Sequence, residues 1–255
     1  MSNVMSPQFA YTLGVVYGDA NISIYKSKSS TGGSIALKVK DEDFALIFKK
    51  NVEMWSGREA RFKKKGDGFY HTILHSINHA KAIKKFSVNN ILNTRFECKQ
   101  AFLSGLFDSE GGVIGHNLNN RAKAKRWVHF SNNNKQIIDI VTSMLDDFNI
   151  KYTLKSRIHS GFGSKKLQYE VISYGLRNIV WFHKNKIFNI KRKVNKLKEI
   201  IKSYDYYPIS LFNEAKKLHK EMGYKKVANE MGLPKGVVYG WLFKNNQKQI
   251  LDVEV

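Results

Sequence analysis

Apolar residues near the start of the chain switch from helical to strand spacing. Residues 7–18 carry apolar side chains at a helical period, whereas segments 21–25 and 35–40 alternate apolar and polar residues as strands do. Acids at 41–43 then open a further helical segment. The elements predicted here are helix 7–18, strands 21–25 and 35–40, a helix bearing Phe44, Ile47, Phe48 and Val52, hairpin strands 61–65 and 69–75, and helix 78–86.

The same succession returns in the second half of the chain. The elements predicted there are helix 98–109, a strand from 112, strand 127–131, a helix bearing Ile137, Ile140, Val141, Met144 and Leu145, hairpin strands 152–159 and 167–173, and a helix from 176. The order αββαββα therefore occurs twice. It predicts an α+β fold built from two pseudo-symmetric αββαββα repeats.

After Pro208 the pattern predicts a small all-α segment. Val227, Ala228 and Met231 lie on one apolar helical face, and Gly232 ends that helix. The apolar stripe of the next helix begins with Val238, Trp241 and Leu242. This spacing is typical of a helix-turn-helix, whose second helix enters the major groove of DNA, although a hairpin of two helices used only for packing shows it too. The predicted domains are repeat 1 at 1–95, repeat 2 at 96–204 and a helix-turn-helix module at 205–255.

The charge of the chain points to a polyanionic partner. Its 255 residues include 43 Lys and Arg against 21 Asp and Glu, a formal net charge of +22. So many like charges repel one another unless a polyanion neutralises them. Lys and Arg bind nucleic acid with affinity gained by releasing counterions from its phosphates. A generally basic protein and a protein bound to an anionic membrane are the alternatives, but no apolar run is long enough to span a bilayer. We therefore expect nucleic acid as the partner and no membrane.

The cysteine and histidine content excludes some chemistries. Cys98 is the single cysteine, which excludes an internal disulfide and a cysteine-based zinc finger. We expect a reducing intracellular compartment, the cytoplasm of a prokaryote or an organelle of a eukaryote. His71, His75 and His79 are spaced four residues apart, but no acid or cysteine completes a ligand set with them, so we predict no metal site there.

Two short segments, 12–20 and 103–111, repeat one pattern of small and acidic residues. In each, a glycine stands five residues before a carboxylate, and a small residue stands directly before that carboxylate. The glycine, small residue and acid are Gly14, Gly18 and Asp19 in the first segment and Gly105, Ser109 and Glu110 in the second. Small residues let two helix backbones approach closely. We therefore predict that the two helices pack side by side and that their acids meet where the strands begin.

A meeting of Asp19 and Glu110 would create a cation site. Neighbouring carboxylates disfavour each other's ionisation unless a cation neutralises them, and Mg²⁺ is the usual cation where phosphate is the substrate. Acids that hold metal ions beside a phosphate can stabilise both the attacking and the leaving oxygen. A single acid at a helix end is usually a solvated cap, so either segment alone is a weak signal. Two copies with matching glycine spacing are a strong one.

With these two segments, residues 9–197 resemble a single-chain, two-motif LAGLIDADG homing endonuclease. The resemblance implies a saddle whose two curved antiparallel sheets lie in the major groove of a long DNA site. It also implies that Asp19 and Glu110 are the catalytic acids and that the carbonyl groups of Gly18 and Ser109 face the metal. The helix-turn-helix resembles accessory DNA-binding modules appended to some members of that family.

The resemblance further implies a cofactor and a water-organising residue. The cofactor is Mg²⁺ or Mn²⁺, and Ca²⁺ is expected to bind without supporting cleavage. Lys40 fits the place of a residue that organises water around the scissile phosphate. The matching region of the second repeat, residues 130–132, has no lysine, so the two halves are expected to be unequal catalysts.

The function predicted from the resemblance is site-specific double-strand cleavage of DNA that leaves short 3′ overhangs, as in intron homing, by a monomeric enzyme. One alternative is a non-cleaving, sequence-specific DNA-binding regulator. Another is a maturase that binds intron RNA.

Strand alternation and charge together predict the side chains that contact DNA. Lys and Arg can hydrogen-bond guanine edges or hold phosphates. The candidates are Lys26, Lys38, Arg61, Lys63, Lys65, Arg121, Lys123, Arg126, Lys155, Arg157, Lys235 and Tyr239. The basic segment 191–198 is predicted to clamp phosphates or to act as a linker.

Overall fold

The computed structural model describes residues 5–26, 31–118, 124–161, 164–204, 207–244 and 250–251. Contacts within the chain divide it into two compact units, Met1–Glu199 and Ile200–Val255. The division lies close to the predicted boundary after residue 204.

The first repeat contains three α-helices and one four-stranded sheet. Its elements are α1 (Pro7–Tyr17), β1 (Asn21–Lys26), β2 (Thr31–Val39), α2 (Glu42–Ser56), β3 (Arg61–Lys64), β4 (Tyr70–His75) and α3 (Ile77–Lys85). All strand pairs are antiparallel, and the spatial order is β1-β2-β4-β3. A 3₁₀-helix at Val88–Asn93 follows; its six residues are too few to show an apolar period from which it could be predicted.

The second repeat has the same order of elements. They are α4 (Phe96–Glu110), β5 (Gly111–His116), β6 (Lys125–Asn132), α5 (Lys135–Asp147), β7 (Thr153–Gly161), β8 (Ser164–Tyr174) and α6 (Leu176–Lys184). The antiparallel sheet order, β5-β6-β8-β7, matches that of the first repeat. The α+β fold of two αββαββα repeats is therefore confirmed.

Helix α1 is buried along most of its length because almost every side chain is apolar. Ser6 caps its first turn by accepting a hydrogen bond from the Phe9 N–H, and Pro7 occupies the first helical position, where no N–H is needed. Residues Ala10 to Val15 are all buried. A helix that is apolar all round belongs in a core, and α1 lies against both α2 and α4.

Each sheet packs one face against helices and leaves the other face open. Helices α2 and α3 cover the first sheet, and α5 and α6 cover the second. Ile35 and Leu37 are fully buried on the helix side of β2, and Phe130 is fully buried on the helix side of β6. Because side chains alternate along a strand, the residues between them point to the opposite, open face.

Helix α7 (Lys191–Lys202) follows the second repeat, and the second unit is a small helical bundle. Its elements are β9 (Tyr207–Pro208), α8 (Ile209–His219), α9 (Tyr224–Glu230), α10 (Lys235–Phe243) and β10 (Ile250–Leu251), and the two short strands pair in parallel. Its core consists of Phe212, Ala215, Val227, Ala228, Val238 and Trp241. Gly232 ends the turn after α9 at φ +61°, a conformation that favours glycine, as the sequence pattern predicts. In the described part of the chain, every helix is too short or too polar to cross a lipid bilayer.

Candidate active site at the ends of two packed helices

Helices α1 and α4 touch backbone to backbone at a pair of glycines. A Cβ atom on Gly14 would overlap the carbonyl oxygen of Phe102 and lie 3.1 Å from the Cα of Gly105. A Cβ on Gly105 would overlap the carbonyl oxygen of Tyr11 and lie 3.1 Å from the Cα of Gly14. No side chain larger than hydrogen fits at either position. The predicted close approach of the two helices is confirmed.

One turn further on, Gly18 and Ser109 meet, and this contact brings the acids together. A Cβ on Gly18 would overlap the Cβ of Ser109, lie 2.6 Å from its Oγ, and lie 3.6 Å from the Cγ of Glu110. The Glu110 side chain therefore lies against Gly18, the residue directly before Asp19. Since α1 ends at Tyr17 and α4 ends at Glu110, both acids stand at helix C-termini, where β1 and β5 begin.

The two acids influence each other's ionisation. Burial raises the pKa of Glu110, and the negative charge of Asp19 raises it further. Burial also raises the pKa of Asp19, and the positive charge of Lys193 opposes the rise for both acids. Both side chains nevertheless stay open to solvent at the surface of the site. Their carboxylates are therefore accessible, and a second cation beside them would favour their ionised forms.

This donor set fits a magnesium-type cation better than a fully enclosed protein metal site. Within the described ranges, no group of three or more His, Cys, Asp and Glu side chains is arranged to hold a metal. Mg²⁺ is commonly bound by one or two carboxylates together with water and substrate phosphate. Asp19 and Glu110 supply two neighbouring carboxylates of this kind.

Lys193 binds the C-terminal end of α4. It is only 5% exposed, and its Nζ donates hydrogen bonds to the carbonyl oxygens of Phe107 at 2.9 Å and Asp108 at 2.6 Å. Burial lowers the pKa of Lys193 to about 8, against the opposing charges of Asp108, Asp19 and Asp41. The sequence predicts that segment 191–198 clamps phosphates or acts as a linker. For Lys193 the prediction of a phosphate contact is wrong, because its ammonium group is buried inside the protein.

The register of Lys193 with apolar residues is the sequence signal for this burial. It lies three residues after Ile190 and four before Leu197, both of which are 1% exposed. A lysine in the apolar stripe of an otherwise basic helix is expected either to reach a surface or to find buried acceptors. Here it finds the carbonyl groups at the end of α4.

Asp108 joins three parts of the first unit. Its carboxylate accepts hydrogen bonds from the Tyr11 hydroxyl at 2.8 Å, from the Asn189 N–H at 2.8 Å and from the Asn189 side-chain amide at 2.8 Å. Burial raises the pKa of Asp108, and the hydrogen bonds from Asn189 and Tyr11 oppose the rise. The carboxylate thus links α1, α4 and the segment before α7, close to the paired acids.

Lys40 is not brought to the acids by any described contact. It stands just after β2, and its Nζ lies 5.5 Å from the centre of the Phe69 ring. Its neighbour on the same face, Lys38, lies over the same ring at 4.9 Å and forms an ion pair with Asp67 at 2.6 Å. The cation whose charge acts on both acids is Lys193, and the water-organising role of Lys40 stays a prediction.

Five predicted DNA contacts lie on the open faces of the sheets. Arg61 and Lys63 pair with Ile73 and His71 of β4, on the open face of the first sheet, together with Lys38 of β2. Lys155 and Arg157 lie on the open face of the second sheet, opposite Glu170 and Gln168 of β8. The cations on these faces form a surface to which DNA phosphates and base edges could bind.

The remaining predicted contacts lie elsewhere. By strand alternation, Lys26 and Arg126 fall on the faces of their sheets opposite to the open ones. Lys65 is half-buried in the β3–β4 turn, where its N–H donates to the carbonyl of Phe69. In the second unit, Lys235 begins α10, and Tyr239 on the same helix is 40% exposed. Arg121 and Lys123 lie outside the described residues.

Comparison with known proteins identifies the fold. Residues 97–186 match the family model described as a LAGLIDADG-like domain. A structure of mesophilic variants of the homing endonuclease I-DmoI is similar over 74% of this chain and 97% of its own, with a TM-score of 0.54 and 18% identity. I-DmoI in complex with DNA and Ca is similar over 75% of this chain and 97% of its own, with a TM-score of 0.54 and 17% identity. The chain has a two-repeat LAGLIDADG-like fold.

The LAGLIDADG-like family model covers the second repeat, which contains Glu110. The first repeat, with Asp19, shares its order of elements and its order of strands. Among curated proteins, the uncharacterized protein MJ0314 of Methanocaldococcus jannaschii is 27% identical over 175 residues, which are 62% of this chain and 62% of that protein. The matched region thus spans less than two thirds of the relative's length.

Proposed function

We propose that the protein is a site-specific endodeoxyribonuclease that hydrolyses one phosphodiester bond in each strand of a long duplex site. The observation that carries this proposal is the meeting of Asp19 and Glu110 at the ends of two helices that touch along their backbones. The similar protein I-DmoI is named a homing endonuclease, and it has been observed with DNA and calcium. Both observations agree with a cation-dependent nuclease.

In this proposal the paired acids hold divalent cations. The carboxylates of Asp19 and Glu110 would be the protein's charged ligands, and the carbonyl groups of Gly18 and Ser109 would face the same site. When bound, Mg²⁺ or Mn²⁺ supplies positive charge to the phosphate at which hydrolysis occurs. The contact between Gly18 and Ser109 fixes the ends of the two helices. The two acids are therefore held close together before DNA binds.

Lys193 and Asp108 keep Glu110 in place. Lys193 occupies the last carbonyl groups of α4, and Asp108 binds that turn to Tyr11 of α1 and to Asn189. The turn that ends at Glu110 is therefore fixed from two sides. Pre-organisation of this kind lowers the barrier for the chemical step, because the ligands need no rearrangement as charge develops.

The open sheet faces would bind the DNA. Arg61 and Lys63 in the first repeat and Lys155 and Arg157 in the second point outward from the two sheets. Cations on both sides of the acid pair can hold the backbone while base edges are read in the major groove. We further propose that the second unit adds contacts through Lys235 and Tyr239 of α10.

The decisive experiment is cleavage of a DNA library by the full-length protein. The protein is incubated with fragmented host DNA or a randomised plasmid library in Mg²⁺, and the new ends are sequenced. We expect recurrent double-strand breaks with short 3′ overhangs at one sequence. Specific duplex binding without breaks would contradict cleavage and favour a regulator. Tighter binding of intron RNA than of any duplex would favour a maturase.

A further inference from the structure

The centres of the two open sheet faces differ in charge. Counted through the strand registers, His71 of β4 and Glu170 of β8 occupy equivalent positions. Each stands two residues before the isoleucine that lies, across two strand pairings, opposite the residue two positions after the acid of its repeat. The first sheet therefore has an imidazole at the place where the second sheet has a carboxylate.

The open face of the first sheet presents hydrogen-bond donors around this position. Lys38 of β2 and Lys63 of β3 flank His71 as its partners in register. Burial lowers the pKa of His71, and the positive charges of three lysines, Lys65 among them, lower it further against the opposing charge of Asp67. An ammonium group can only donate, so this face suits guanine, whose major-groove edge offers the two acceptors O6 and N7.

The carboxylate of Glu170 on the second sheet is open to a ligand. Its side chain is 19% exposed, and Oε1 lies 3.4 Å from Nδ1 of His129. That contact is not a hydrogen bond, because Nδ1 of His129 has no hydrogen-bond partner. Lys155 lies opposite Glu170 in register, yet in the described part of the chain no lysine or arginine forms an ion pair with Glu170. Its oxygens therefore retain their capacity to accept hydrogen bonds.

The histidine beside Glu170 does not cancel its charge. Burial lowers the pKa of His129, against the opposing charge of Glu170. The positive charges of Lys193 and Arg157 lower the pKa of His129 further. The imidazole is therefore neutral at neutral pH, and a full negative charge stands on a face that otherwise carries cations for DNA.

A carboxylate on a DNA-binding face lowers affinity unless a base satisfies it. It repels phosphates, and it also repels base edges that carry only acceptors, such as O6 and N7 of guanine. An ionised carboxylate can only accept hydrogen bonds, and the donors in the major groove are the amino groups of cytosine and adenine. Glutamate characteristically accepts from N4 of cytosine, whereas adenine is matched by an amide that both donates and accepts.

We propose that Glu170 recognises a cytosine in the half of the site bound by the second repeat, by accepting a hydrogen bond from its N4 amino group. This inference rests on the duplex binding in the proposed function. It makes the target site asymmetric, because the equivalent position of the first sheet, His71 between two lysines, favours guanine. Glu170 thus determines specificity and takes no part in the chemical step.

Selection of bound duplexes from a randomised library, without divalent cations, tests the proposal. We expect the wild type to select cytosine at one position where Glu170→Gln selects adenine, with the ratio of cytosine to adenine changed by about tenfold or more. Glu170→Ala should flatten the preference at that position without a gain of adenine. Glu97→Gln, the same change at the first turn of α4, is the matched control and should select the wild-type site.

Three outcomes would overturn the inference. One is selection of the same bases by wild type, Glu170→Gln and Glu170→Ala. Another is a change at a position where the wild type does not select cytosine. The third is flattening at every position together with a lowered melting temperature, which would indicate a purely structural role. If the wild type binds no duplex, the proposed function fails and this inference falls with it. If it selects a site that the variants select equally, only this inference fails.

Discussion

Gly14 of α1 and Gly105 of α4 lie so close that a Cβ atom on either one would stand 3.1 Å from the Cα of the other. The obstructing atoms belong to backbone, which cannot move aside as a flexible side chain can. The absence of a side chain at Gly14 and at Gly105 therefore sets the spacing of the two helices and with it the separation of Asp19 and Glu110.

Substitution of Gly14 by alanine should destabilise the first unit. The added methyl group would overlap the Phe102 carbonyl oxygen, and overpacking of this kind costs about 3 kcal/mol. Guanidinium unfolding measures the change as a lower midpoint. Gly66→Ala is the control, since a Cβ there meets nothing within 4 Å. Equal midpoints for the two variants would contradict the tight crossing.

Removal of the Tyr11 hydroxyl should weaken the buried junction at Asp108. Tyr11→Phe deletes a 2.8 Å hydrogen bond to a buried carboxylate, and we expect a loss of about 2 kcal/mol in the free energy of unfolding. Tyr152→Phe deletes an exposed bond to Asp146 and should change stability by less than about 0.5 kcal/mol. A Tyr11→Phe variant as stable as Tyr152→Phe would show that Asp108 does not depend on this donor.

The buried ammonium of Lys193 should make stability depend on pH in the alkaline range. The pKa of Lys193 is about 8 in the folded protein, against an ordinary lysine value of 10.5. Between these values the unfolded chain binds more protons, so the stability of the wild type rises with pH relative to Lys193→Met, by up to about 3 kcal/mol. Below pH 8 the difference between the two proteins should be constant.

Urea unfolding at a series of pH values, without divalent cations, measures this difference. Lys196→Met is the matched control, because it removes a half-buried lysine of the same helix that pairs with Glu199. A difference between wild type and Lys193→Met that is flat from pH 8 to 10.5 would rule out the burial of a charged lysine at this place.

The contribution of the open sheet faces to DNA binding should be measurable from the salt dependence of the DNA affinity. If Lys63 neutralises one phosphate, Lys63→Gln should reduce the slope of log K against log salt by about 0.9. Lys135→Gln, which removes a lysine of α5 paired with Asp139, is the control and should leave the slope unchanged. Fluorescence anisotropy with the recovered site at several salt concentrations provides both slopes. Identical slopes for Lys63→Gln and wild type would place the DNA elsewhere.

The sequence predicts the elements and the meeting of the helix ends because both depend on local spacing. Alternation in β2 and the helical period of α2 determine which side chains face the core, as the burial of Leu37 and Phe48 confirms. The repeated interval from glycine to acid is likewise visible without any partner. Each of these signals lies within about one element of chain.

The supports of the site could not be predicted in the same way. Asp108 is bound by Asn189 across 81 residues, and Lys193 reaches the Asp108 carbonyl across 85. Such contacts depend on how α7 returns to the end of α4, which no local period determines. The surroundings of His129 are non-local in the same way, because its ring packs on Gly112 of one neighbouring strand and faces Glu170 of the other.

Cleavage by variants of the two acids tests the central claim most directly. Asp19→Asn and Glu110→Gln keep the shapes of the side chains but remove the charges that would hold a cation. Rates are measured with Mg²⁺ on the recovered site, and DNA affinity is measured without divalent cations. Asp139→Asn, an exposed acid on α5, is the control. We predict that both site variants bind DNA as the wild type does and make no double-strand breaks, whereas the control cuts normally. Double-strand cutting retained by both site variants would contradict the assignment of Asp19 and Glu110 as the catalytic pair.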